Sequence, residues 1–284
     1  MYYGLITAAV LMFGVQFYFN DCYQKRNGTG AVAAMTYSLI GALVGILCFC
    51  VIGGFNFSVT PFTLVWATVT AVNALLCGIC TLGALARVNL SVYSLFSMLG
   101  GMLLPFAAGL LFYREPMTLA KGVCFLLVAA ALAVTLDRSR VKGGIGYYVG
   151  VFVFNGTSGV LSKIYGDATL PKVDSTGYSL WTAILSALLS ALVLLLLHKQ
   201  WKRQSALSLL FGAGAGAMNR LGNLLLLIAL AFLPASVQYP FVTGGVVIVS
   251  TAIAALTKQK PTRKELLSVA LSFAGILALV CIPI

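Results

Sequence analysis

Apolar stretches of about 18 to 26 residues, separated by short polar punctuation, recur along the whole chain. Each is long enough to cross the ~30 Å hydrocarbon core of a bilayer as a helix. Ten spans are predicted, over 2–20, 31–52, 61–86, 89–112, 117–136, 144–164, 177–198, 206–231, 234–257 and 263–283. The connections are short, and no soluble domain or low-complexity tail separates the spans. No basic n-region or small-residue cleavage site precedes Asn20-Asp21, so the first span is expected to act as its own insertion signal.

Shifting the sequence on itself by 145 residues brings the two halves into register. Ala84-Leu85-Ala86 falls on Ala229-Leu230-Ala231, Ser91-Val92 on Ser236-Val237, Gly100 on Gly245 and Pro116 on Pro261, with no gap as far as Ala133 and Ala278. Apolar composition alone produces some of these matches, but a Gly, a Pro and a Ser-Val pair in one register point to duplication. Five spans per half is an odd number, so the second half enters the membrane from the opposite side. The expected fold is therefore an all-α polytopic membrane protein, with residues 1–141 and 142–284 as two inverted five-helix repeats.

Composition agrees with the pattern. The chain is 61% hydrophobic and 8% charged, with a mean hydropathy of +1.02, far from the soluble globular range. The net charge of +12 resides in loops, and no basic run is interleaved with exposed aromatics as nucleic-acid binding would require. Thirteen Lys and Arg occupy the odd-numbered connections and four (Arg114, Lys121, Lys163, Lys172) the even-numbered ones. Basic loops stay in the cytoplasm, which puts the odd connections there and both termini outside.

One cation does not belong to a loop. Arg220 sits near the middle of FGAGAGAMNRLGNLLLL, 211–227, where a charge costs roughly 2.5–3.5 kcal/mol on insertion scales and so faces protein or water. Gly212, Gly216, Asn219, Arg220 and Asn223 recur at spacings of three or four, one stripe of a helix that is small and then polar. Two readings fit: Arg220 serves structure, capping carbonyls or pairing with a fixed acid, or it meets a ligand. Its counterpart at the repeat offset is Leu75, so the charge is not part of the duplicated scaffold.

The unit ALARVNLSVYSLFSMLGGMLLPFAAGLLFYREPMTLAKGVCFLLVAAALAV, 84–134, is a small-rich helix ending at Arg114-Glu115-Pro116 followed by a Gly-containing helix. Together with Phe13-Gly14 in the first span and the ten-span plan, it resembles the EamA-like type of the drug/metabolite transporter superfamily. Lys258-Gln259-Lys260-Pro261 departs from the pattern, which commonly carries an acid before this position. Familiar members are also described with both termini in the cytoplasm, whereas the loop charges here argue the reverse.

The resemblance implies a cavity lined by the first, third, fourth, sixth, eighth and ninth spans. Polar residues on those spans make a candidate binding set: Gln16, Asn73, Tyr93, Asn155, Lys163, Asn219, Arg220, Asn223, Gln238 and Tyr239. Helix-to-helix hydrogen bonding is the ordinary use of any one of them, and the Lys163 stem is long enough to snorkel to the interface. Pro105 is expected to interrupt the fourth span and Pro240 to bend the ninth.

No Asp or Glu lies inside a predicted span. That disfavours a carboxylate shared between proton and lipophilic cation and favours an anionic or zwitterionic cargo such as an amino acid or organic acid, since guanidinium presents a fork of donors to such groups. The expected activity is alternating-access transport of that cargo across the plasma membrane, by a monomer or homodimer. Export of drugs or quaternary amines and a lipid-linked-sugar flippase subunit are the alternatives within the same fold. No HExxH, Ser-His or intramembrane Asp-pair arrangement suggests an enzyme. Cys77-Gly-Ile-Cys80 lacks the further ligands of a metal site, so no cofactor or metal is expected.

Overall fold

The computed structural model describes residues 2–28, 30–85, 90–134, 145–197, 204–257 and 262–281. These form ten helices: α1 (Tyr2–Asn27), α2 (Ala31–Ile52), α3 (Pro61–Leu85), α4 (Leu90–Leu111), α5 (Leu119–Val134), α6 (Ile145–Asp167), α7 (Ser175–Leu196), α8 (Ala206–Ala229), α9 (Ala235–Leu256) and α10 (Arg263–Cys281). All ten predicted spans have a helix.

Short polar residues start several of them, as helix-end chemistry requires. Thr60 accepts from the Thr63 amide ahead of Pro61, which opens α3, and proline is at home there because its missing N–H would be unpaired anyway. Asp174 caps α7 and Ser205 caps α8. Thr262 and Glu265 form a reciprocal box at the start of α10, each side chain accepting from the other's amide. By contrast, α9 begins at Pro234 with no cap from its own segment.

The pairings of the helices are those of an inverted duplication. α1 packs on α8 and α9, and its counterpart α6 packs on α3 and α4; α2 meets α8 as α7 meets α3. Three contacts join counterparts directly, α2 with α7, α4 with α9, and α5 with α10. The result is two bundles, one holding α1, α8 and α9 and the other α3, α4 and α6, each drawn from both repeats. Below, the odd face is the one carrying the odd-numbered connections, and the even face is its opposite.

Among the described residues, five helices are long and apolar enough to cross a membrane: α1, α2, α3, α7 and α9. They include at least one member of four of the five counterpart pairs, and exposed large apolar residues such as Leu47, Val51, Leu195 and Leu196 form a lipid-facing surface.

Two expectations change. α1 continues to Asn27 instead of ending at 20, and its last turns carry an exposed Asp21–Lys25 pair at 2.5 Å, the i, i+4 spacing that stabilises a solvated helix end. Neither Pro105 nor Pro240 breaks its helix, each lying inside a continuous one, with the Pro105 ring held against bare Gly159.

Candidate functional site

Between the two bundles, α8 presents the charged residue singled out by the sequence. The Gly212–Gly216 part of its stripe faces α2, where Gly216 meets the backbone of Gly41 so closely that neither position has room for a Cβ. One turn on, the Arg220 stem crosses Gly45: a Cβ there would lie 3.0 Å from Arg220 Cγ and 3.6 Å from the Ala183 methyl. Two glycines of α2 thus make the slot that admits α8 and its arginine.

The guanidinium has no hydrogen-bond or ion-pair partner among the described residues. Tyr37, two turns along α2 from Gly45, is its electrostatic neighbour. The reading in which a fixed acid or carbonyl satisfies Arg220 is therefore not the arrangement observed. Arg220 is partly accessible and Asn223 exposed, whereas Leu227, one turn further on the same face, is packed among Ala67, Tyr165 and Tyr178 of α3, α6 and α7.

Asn219 joins this group by donating from Nδ2 to Gln16 Oε1 of α1 at 3.2 Å, and Asn223 Nδ2 donates to the Asn219 carbonyl. Gln16, Asn219, Arg220 and Asn223 thus share one wall.

The other sequence candidates lie elsewhere and already serve helix packing. Asn73 is buried and donates to the Phe154 carbonyl and to Ser158 Oγ, both at 2.9 Å, tying α3 to α6. Asn155 donates to the Ser97 carbonyl at 2.6 Å, tying α6 to α4. Gln238 is fully buried and donates to the Leu226 carbonyl, while its Oε1 has no partner. The Tyr239 hydroxyl donates to the Gly159 carbonyl at 3.1 Å. The Tyr93 side chain lies outside the described residues.

Lys163 does not snorkel. It is buried, with its ammonium 3.0 Å from Asp167 and 3.6 Å from Glu115 and over the ring of Tyr113. The pairing explains why burial is tolerated. Lys121 is buried too and donates to the Pro116 carbonyl. With both cations folded inward, Arg114 and Lys172 are the even-face cations left at least partly accessible.

Sequence reasoning missed the role of Glu115. Arg114 adopts a left-handed conformation, φ 51°, which turns the chain at the end of α4 so that the Glu115 amide reaches back to the Gly109 carbonyl. The carboxylate then lies under bare Gly109 and across the bundle boundary, accepting from the Ala235 amide, the Ser236 amide (both 2.9 Å) and the Ser236 hydroxyl (2.5 Å). It is the cap that Pro234 cannot supply, and hydrogen bonds to a charged group contribute about 1.5–3 kcal/mol each. Burial pushes the Glu115 carboxyl up, but Ser236, Ala235 and the nearby Lys163 ammonium more than offset it and hold the group below the usual carboxylate range. No local signal reveals this, because partner and carboxylate are about 120 residues apart.

Leu227 with Ala67, Tyr165 and Tyr178, Tyr239 with Gly159, and Glu115 with Ser236 join the bundles toward the even face. Nearer the middle of the molecule α4 and α9 join them as well, Met98 and Leu99 packing with Val247.

Ten helices in two inverted five-helix repeats define the class of polytopic membrane proteins to which this fold belongs. The second half of the chain, residues 142–281, matches the model of the EamA-like transporter family. That is a family of transporters, not of enzymes. A solved crystal structure is similar over 96% of this chain and 94% of its own, with a TM-score of 0.73 at 17% identity, which establishes the shared fold. No curated protein matches the sequence.

Proposed function

We propose that this multi-pass transporter moves a small anionic or zwitterionic metabolite, such as an amino acid or organic acid, across the plasma membrane by alternating access, with Arg220 holding the anionic group. The observation that carries this reading is a guanidinium deep in α8 with no hydrogen-bond or ion-pair partner among the described residues. A buried cation without a counter-charge is costly, and an arriving carboxylate or phosphate removes that cost with a two-pronged hydrogen bond. Asn223 and the Gln16–Asn219 pair stand on the same wall to orient the rest of the molecule.

The charge distribution supports the same cargo. The odd-face connections hold thirteen Lys and Arg, a field that concentrates anions at that face. By the loop-charge rule that face is cytoplasmic and both termini are outside. The two repeats, 1–141 and 142–284, each give helices to both bundles, and rocking one bundle against the other switches access.

The test is flux in proteoliposomes. Removing one partner of a buried charge pair costs about 2–5 kcal/mol, so Arg220→Ala is expected to lower affinity by roughly 30-fold or more while the protein still folds into the membrane. Arg220→Lys keeps the charge but not the fork and should retain partial activity. Unimpaired transport of an anionic cargo by Arg220→Ala would overturn the assignment.

A further inference from the structure

We infer that Glu115 is the lock of the even-face gate, a carboxylate of one bundle that holds the first turn of α9 in the other and must release it each time the carrier opens to that face.

Three observations converge on it. The contact crosses the boundary along which the bundles separate, since Glu115 follows α4 and Ala235-Ser236 begin α9. It is built for retention at this end alone: the Arg114 turn and bare Gly109 aim the carboxylate, and Lys163, itself held by Asp167, backs it with positive charge. The duplication also supplies it only once. Position 260, the counterpart of 115, is lysine, and Lys163 and Asp167 correspond to Tyr18 and Cys22. A lysine ammonium cannot accept helix N–H groups, so the opposite gate has no equivalent carboxylate. The even face is consequently the one that rests locked.

The titratable groups around Glu115 are Lys163 and Asp167 from α6, Lys121 from α5 and Tyr113 from its own loop; α9 contributes amides and a hydroxyl. Because the Glu115 carboxyl is held below its ordinary range, the lock is fully charged at neutral pH. It weakens only as pH falls through that depressed value.

The experiment measures the gate itself. Spin-labelled non-canonical residues at Met117 and Ala231, both exposed and flanking the clamp from either bundle, report the inter-bundle distance in nanodiscs and leave all seven cysteines in place. The parent should show one short distance. Glu115→Gln should add a second, longer component, and Ser236→Ala, which removes one donor and keeps the carboxylate, should add the same component at lower population. In the parent, the longer component should emerge only on acidification below the carboxylate range. A single unchanged distance in folded Glu115→Gln, with no more than a lower melting temperature, would make Glu115 a helix cap only and overturn the inference. If Glu115→Gln does not fold, an unchanged distance in Ser236→Ala overturns it.

Discussion

Arg114 shows what single residues give up to position others. A non-glycine side chain in the left-handed region costs roughly 1–2 kcal/mol, and here that conformation carries Glu115 under the end of α4. Arg114→Gly is therefore expected to raise thermal stability, by up to about 1 kcal/mol, with the Glu115 contacts intact; a lower melting temperature would show that the arginine side chain itself holds the turn. Arg220 is the opposite case, a residue whose cost is left standing. Its depth and isolation were legible in the sequence, because one arginine in an apolar run needs no structural context to be noticed. Its lack of a fixed partner was not, since only the packed helices show which neighbours reach it. The partners of Glu115 were not legible, because it is local to α4–α5 while they begin α9.

At the scale of elements, two glycines of α2 make different demands. Gly41 and Gly216 bring two backbones together, and nothing in that contact can yield. Gly45 faces only the flexible stem of Arg220 and the Ala183 methyl. Gly216→Ala should therefore cost about 1–3 kcal/mol of stability, the range for overpacking a tight contact, read as a lower melting temperature in detergent. Gly45→Ala should leave stability nearly unchanged and weaken substrate affinity by moving the arginine. Equal loss of stability in both would show that the α2–α8 seam, and not the arginine slot, sets the Gly45 requirement. The ten helices were visible in apolar run lengths. The extension of α1 past Asp21 was hidden, because a charged i, i+4 pair looks like loop composition until the helix continues through it. Most candidate polar residues prove to be ties between helices: Asn73, Asn155 and Tyr239 spend their donors on carbonyls.

The whole molecule combines a symmetric scaffold with two asymmetric features. The duplication provides bundles that can exchange roles, and it was readable from the 145-residue register. What the duplication does not repeat is Arg220, with leucine at its counterpart position, and Glu115, with lysine. On the proposed reading the first holds the cargo and the second locks one gate, so cargo preference and resting state are set independently. The most direct test of the central claim is a thermal-shift screen of wild type and Arg220→Ala against carboxylates, organic phosphates and quaternary amines. The account predicts that one or more anions stabilise the wild type and lose that effect in Arg220→Ala, with quaternary amines inert toward both. Stabilisation by quaternary amines, or an anion response that survives Arg220→Ala, would contradict it.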